Sequence, residues 1–255
     1  MLDAWLWAGA ALGVLAVLLW LYSLVRNDVS IVDVFWSLMF LVAAVTYYLA
    51  APGTGPMAGL VLALTAIWAI RLSAYIAWRN HGEPEDHRYQ EIRKNNQPGF
   101  RFKSLYIVFG LQAFLAWVIS LPLMVALSGQ ASPGPLAYAG VALWLVGFIF
   151  ESVGDLQLAR FKANPENQGK VLDSGLWRYT RHPNYFGNFT LWWGFYLLAL
   201  SAGGWWTIVS PLLMSFLLLK VSGVALLEKD IGERRPSYAK YIENTNAFFP
   251  GPSGS

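Results

Sequence analysis

Glu151 and Asp155 stand four residues apart in a chain that is otherwise strongly apolar, and that spacing puts two carboxylates on one face of a helix. Such groups repel unless hydrogen-bond donors, a shared ligand or a cation intervenes, and Lys162 and Arg181 are the nearest candidates for the cation. Basic residues then gather at Lys162, Lys170, Arg178 and Arg181, and again at Arg234, Arg235 and Lys240, interleaved with tyrosines and carboxylates. Guanidinium forks bind phosphate, carboxylates accept from ribose hydroxyls and aromatic faces stack on rings, so the mixture suits an anionic, ring-bearing ligand. Anionic lipid headgroups would use the same basic residues, and composition alone favours that plainer use.

Three more ionisable residues fall inside apolar stretches: Asp33, Arg71 and Lys220. Each costs on the order of 2.5 to 3.5 kcal/mol at the bilayer centre, so each needs a partner, a wet cavity or a function. Arg71 and Lys220 can also snorkel to headgroups, and Asp33 can simply mark a helix end. Other chemistries find little support. With no cysteine there is no thiolate nucleophile and no cysteine-ligated metal, and His81, His87 and His182 lack a helical metal-ligand spacing. No GxSxG or GxGxxG run occurs, so neither an acyl-transfer serine nor the soluble dinucleotide fold is expected. A metal site and nucleic-acid binding are not expected; the net charge of +3 is the ordinary excess of cytoplasmic membrane loops.

The elements that must position these residues are membrane helices. Of 255 residues, 56% are hydrophobic and 13% charged, against about 25% charged in ordinary soluble domains. Thirteen tryptophans suit two lipid-water interfaces. Apolar stretches near the ~20 residues that cross a bilayer run over 5–25, 31–49, 59–78, 105–127, 136–150, 185–200 and 205–227. The spacing predicts an all-α, polytopic membrane protein of about seven spans forming one transmembrane domain over 1–250. Loops 53–56, 128–135 and 201–204 carry no charge, whereas 80–103, 160–181 and the tail after 227 are charge-rich. That alternation places the N-terminus outside and the C-terminus in the cytoplasm. The loop at 80–103 reads as a solvated cap, Gly9 and Gly13 as a chance GxxxG, and 251–255 as a remnant of cloning. Asn188 begins a glycosylation sequon that an intramembrane position rules out.

The run Arg181-His182-Pro183-Asn184-Tyr185-Phe186-Gly187 precedes one span, and Glu228 with Tyr238 and Tyr241 follows the next. This pattern resembles the C-terminal part of the steroid 5-alpha-reductase family, and the related sterol C14 reductases and isoprenylcysteine carboxyl methyltransferases, over about 151–250. The resemblance implies a nucleotide cofactor at the cytosolic end of the helices: NADPH in the reductases, S-adenosylmethionine in the methyltransferases. It assigns Glu151, Asp155, Lys162, Lys170, Arg181, His182, Asn184, Tyr185, Glu228, Arg235 and Tyr238 to cofactor binding. The methyltransferases' run of glutamates before the final tyrosines is reduced here to Glu228 and Glu233, which tilts the expectation toward NADPH-dependent reduction of a steroid-like enone. That reaction needs a donor on the carbonyl oxygen in a dry site. Asp33 and Tyr75 have the chemistry and depth for it, with Trp36 and Arg71 beside the substrate. The same resemblance implies a bacterial inner membrane as the location, with lipids and a lipophilic small molecule as partners.

Overall fold

A computed structural model describes residues 1–50, 55–221 and 237–252. Among them the chain is all helix: α1 (Leu2–Arg26), α2 (Ile31–Ala50), α3 (Ala58–Arg79), α4 (His87–Asn95), α5 (Phe100–Ser128), α6 (Pro135–Ala163), α7 (Pro183–Ser201), α8 (Trp205–Val221) and α9 (Ser237–Asn244). Helices α1, α2, α3, α5 and α6 are each long and apolar enough to cross a membrane. This is the all-α, polytopic membrane architecture expected from composition. Helix α7 has 19 residues and α8 is a shorter apolar helix; they occupy the sixth and seventh predicted stretches. Two assigned residues, Glu228 and Arg235, lie outside the described residues.

The described residues divide into two compact units, 1–133 with 199–205 and 134–198 with 206–255. In the first, α2 packs against α1 and α3 with its buried side chains Val32, Met39, Phe40, Ala43 and Tyr47. Buried hydroxyls find partners on neighbouring helices, as membrane depth requires. Ser37 Oγ donates to Ala69 O at 2.8 Å, and Tyr47 Oη lies 2.7 Å from Ser120 Oγ. Helix α5 is interrupted twice, by a π-helical stretch at Leu105–Gly110 and near Ser120, where Pro122 cannot donate to the carbonyl of Val118. The Trp117 ring stacks on Trp5 with centroids 3.8 Å apart and its indole donates to Trp5 O. A Cβ on Gly9 would sit 2.8 Å from that ring, whereas one on Gly13 would meet nothing within 4 Å. The first glycine of the GxxxG thus serves packing and the second does not.

In the second unit, α6 begins with Pro135 and α7 with Pro183, each at a first-turn position where a missing N–H costs nothing. The two helices meet along glycines. A Cβ on Gly147 would stand 2.5 Å from Gly187 O; one on Gly187 would stand 2.3 Å from Glu151 N; one on Gly194 would stand 2.7 Å from Trp144 N. Gly140, Gly147 and Gly154 recur every seven residues on α6, as do Gly187 and Gly194 on α7. Only glycine lets two backbones approach so closely. Helix α6 also runs on to Ala163, well past the apolar stretch that ends near 150, so Asp155 shares the helical face expected of it with Glu151, and Lys162 stands on helix rather than in a loop. The supposed cap at 80–103 likewise contains α4 and the first turn of α5.

Candidate functional site

The glycine seam ends where α6 changes from apolar to acidic. Glu151 and Asp155 are 3% and 4% exposed, and each meets an amide from α7. Asn188 Nδ2 donates to Glu151 Oε1 at 3.0 Å, and Asn184 Nδ2 donates to Asp155 Oδ1 at 3.2 Å. The carboxylates are four residues apart on one helix and the asparagines four apart on the other, so the bonds form two successive rungs. Hydrogen-bond donors, one of the answers foreseen for the repulsion of the acidic pair, are thus present at both carboxylates. Asn184 was assigned to this site from its motif and Asn188 was not. Its signal was the i, i+4 offset that matches Asp155 to Glu151.

The segment before α7 is sewn to its surroundings backbone by backbone. Trp177 Nε1 donates to Gly154 O at 3.1 Å, and Leu176 N donates to Gln157 Oε1 at 3.0 Å. Gly175, at φ 63°, adopts the left-handed turn this path needs. Beyond it, Thr180 Oγ1 donates to Phe248 O at 2.8 Å, Arg181 N donates to Asn246 O at 2.9 Å and Gly251 N donates to Tyr179 O at 3.1 Å. The Arg181 guanidinium, 6% exposed, donates through Nη1 to Ile242 O at 3.0 Å and to Thr245 O, the carbonyls closing α9. Tyr241 Oη donates to Trp177 O. The rings of Phe186, Phe189, Phe248 and Phe249 pack edge-on above this junction.

The His182 ring lies 5.7 Å from that of Tyr185, and Tyr238 lies 5.2 Å edge-on to Tyr241. Lys162 and Lys170 are exposed.

In the first unit Asp33, two residues into α2, is gripped from the 80–100 segment. Tyr89 Oη donates to Asp33 Oδ1 at 2.6 Å and Arg88 Nη2 donates to Asp33 Oδ2 at 2.7 Å. Arg88 also donates to both oxygens of Asp86, at 2.9 and 3.1 Å, while Asp86 caps α4 by accepting from Arg88 N. Burial works to raise the Asp86 carboxyl, but the Arg88 bonds outweigh it and hold the group below its ordinary range. Burial works to depress the Arg88 guanidinium, and the Asp86 and Asp33 carboxylates raise it instead. The Tyr89 phenol is raised by burial and by the Asp33 charge, so it keeps its proton at neutral pH. A parallel anchor lies beside it: Glu85 accepts from Val29 N at 2.8 Å and from Arg93 Nε and Nη2 at 2.9 and 2.7 Å. Tyr75 packs on Trp78 with centroids 6.1 Å apart and lies under the Arg79 guanidinium at 5.9 Å. Trp36 meets Phe40 edge-on, and Arg71 is half-buried on α3. Arg88 and Tyr89 were read from the sequence as loop residues, since nothing local marks a partner 55 or 56 residues away.

Known proteins resemble this chain unevenly. An uncharacterized protein of Schizosaccharomyces pombe is 26% identical over 95% of this chain and 78% of its own length. A probable O-methyltransferase of Ustilaginoidea virens is 38% identical over 30% of this chain and 26% of its own length. The 3-oxo-5-alpha-steroid 4-dehydrogenase 1 of Bos taurus is 34% identical over 28% of each chain. The chain thus matches only about a quarter of the length of these two enzymes. No solved structure matches it. A family model matches residues 19–245, across both units and both polar clusters, and the chain belongs to that family, described as Protein of unknown function (DUF1295).

Proposed function

We propose that this chain is a membrane oxidoreductase that takes NADPH against the acidic end of α6 and reduces a carbon-carbon double bond conjugated to a carbonyl in a lipophilic, steroid-like substrate. The observation that carries the reading is the pair of buried carboxylates, Glu151 and Asp155, set one turn apart on one face of α6 and met there by the amides of Asn188 and Asn184. A carboxylate is an acceptor of several hydrogen bonds, and ribose hydroxyls are donors of the kind it takes. Partial similarity to the Bos taurus dehydrogenase supports the same class.

The residues fit the cofactor in part. Glu151 and Asp155 would hold ribose hydroxyls; Lys162 and Lys170, exposed and cationic, would hold phosphate; Tyr185, His182 and Tyr238 offer rings for stacking. Arg181 fits less well, because its Nη1 serves the carbonyls at the end of α9. NADPH, when bound, supplies the hydride. The chain's own contribution to the carbonyl is a proton donor at membrane depth. Asp33 and Tyr75 are assigned to that task by depth and chemistry.

A second reading has its own support. The 38% match to a probable O-methyltransferase favours S-adenosylmethionine as the cofactor and transfer of a methyl group to a lipophilic acceptor. Binding of NADPH, NADH and S-adenosylmethionine to detergent-purified protein separates the two. The reductase reading expects nicotinamide fluorescence enhancement with NADPH and no thermal shift with S-adenosylmethionine; the reverse result would establish the methyltransferase. Lys162→Ala should weaken NADPH by about fivefold, the effect of one exposed ion pair, and leave NADH unchanged.

A further inference from the structure

A cleft of about 150 Å³ opens in the first unit where the end of α1 meets the start of α5, lined by Ser23, Asn27, Arg93, Phe100, Arg101 and Ser104 among others. Its charges are unequal. Arg93 is neutralised by Glu85 through Nε and Nη2, and its guanidinium lies 4.7 Å over the Phe100 ring. Asp28 spends Oδ1 on the backbone and hydroxyl of Ser30. Arg101 is exposed, and among the described residues its guanidinium has no hydrogen-bond or ion-pair partner. Arg26, in the last turn of α1, adds a second exposed cation nearby. The hydroxyls of Ser23 and Ser104 already donate to Trp20 O and Arg101 O, so the donors left to a ligand are the Arg101 fork, the Asn27 amide and Nη1 of Arg93. Those groups select an anion with several acceptor oxygens.

Aromatic surface decides which anion. The Trp20 indole donates to Arg101 O at 2.9 Å, tying the wall of the cleft to the flank of α1. Phe102, 69% exposed, lies 6.4 Å from the Trp20 ring, and Tyr22 and Tyr106 are exposed on the same two helices. Both helices are long and apolar enough to span the membrane, and each of these rings is within two residues in sequence of a residue that lines the cleft or is bonded to one, the placement of interfacial aromatics. A soluble phosphate would gain nothing from them; an acyl chain below a phosphate would pack along them. We infer that this cleft is a binding site for the phosphate of an anionic phospholipid, held chiefly by Arg101. The site is independent of the proposed redox function.

The test is retention of phosphatidylglycerol against phosphatidylcholine by the full chain in nonionic detergent, read by intact-complex mass spectrometry, with inorganic phosphate as competitor. Phosphatidylglycerol should be retained preferentially and resist millimolar phosphate. Arg101→Gln should weaken its retention about fivefold, in line with one juxtamembrane cation, while Arg101→Lys keeps most of it. Arg160→Gln, which removes an exposed cation of α6, should change nothing. Equal retention of the two lipids overturns the proposal, and so does an Arg160 variant as impaired as the Arg101 variant. Displacement by inorganic phosphate would make the cleft a soluble-anion site instead. Arg101→Gln leaves the carbonyl that accepts from Trp20 in place, and the wild-type comparisons decide the matter even if that variant misfolds.

Discussion

Two buried carboxylates in an apolar helix pair depend on hydrogen-bond donors, and that dependence is measurable. Asn188→Ala removes the amide from Glu151, a residue with 3% of its surface exposed. Taking a hydrogen bond from a buried carboxylate costs about 1 to 3 kcal/mol, so thermal unfolding in detergent should register a clear loss of stability. Glu151→Gln in the same background should recover part of it, because a neutral amide is cheaper to strand than a charge. The acidic pair itself was legible in the sequence, since carboxylates four apart in an apolar run announce a shared face. Asn188 was hidden by its neighbours: Phe189 and Thr190 gave it the look of a sequon, and only the α6–α7 contact reveals its partner. Asp33 was legible as an anomaly for the same reason as Glu151, but Tyr89 was not, because hydrogen bonding across 56 residues leaves no periodic trace.

At the level of elements, α4 and the glycine seam carry opposite lessons. Helix α4 is held by ionic contacts, and one of them is pH-sensitive. The Asp86 carboxyl is lowered from its ordinary value of 3.8, so its stabilising effect is complete above that value and is lost as pH falls through the lower folded value. Limited proteolysis of the 80–100 segment should accordingly accelerate only below about pH 4, and Asp86→Asn should abolish that dependence while exposing the segment at neutral pH. The seam is held by shape. Gly147→Ala would place a methyl 2.4 Å from Leu191 N, a backbone atom that cannot yield, and should destabilise the fold by about 1 to 3 kcal/mol. Gly13→Ala, where a Cβ meets nothing, serves as the neutral control in the same thermal assay. Sequence shows 23 glycines and no way to rank them. The seven-residue recurrence from Gly140 to Gly154 was present in the sequence, but it becomes meaningful only once Gly187 and Gly194 are known to face it.

For the molecule as a whole, membrane character was the most legible property, because hydropathy averages over many residues and survives errors at any one. The length of α6 was the least so. Its last two turns carry Gln157, Arg160 and Lys162 among apolar residues, and a hydropathy pattern stops where charge enters even though the hydrogen-bonded helix continues to Ala163. Long-range closure of the second unit was equally invisible: Thr180 reaches Phe248 and Arg181 reaches Thr245, over 68 and 64 residues. Deleting residues 245–255 removes those partners and the Phe248 side chain, 5% exposed. The loss should be about 2 kcal/mol or more from the ring alone and should appear as a lowered unfolding temperature in detergent. The glycine seam, finally, is a ruler as well as a joint. One residue inserted between Gly147 and Gly154 would turn everything beyond it by about 100° and swing Asp155 away from Asn184. Across this stretch the chain can change length only in steps of seven, so relatives that keep the seam must keep the count.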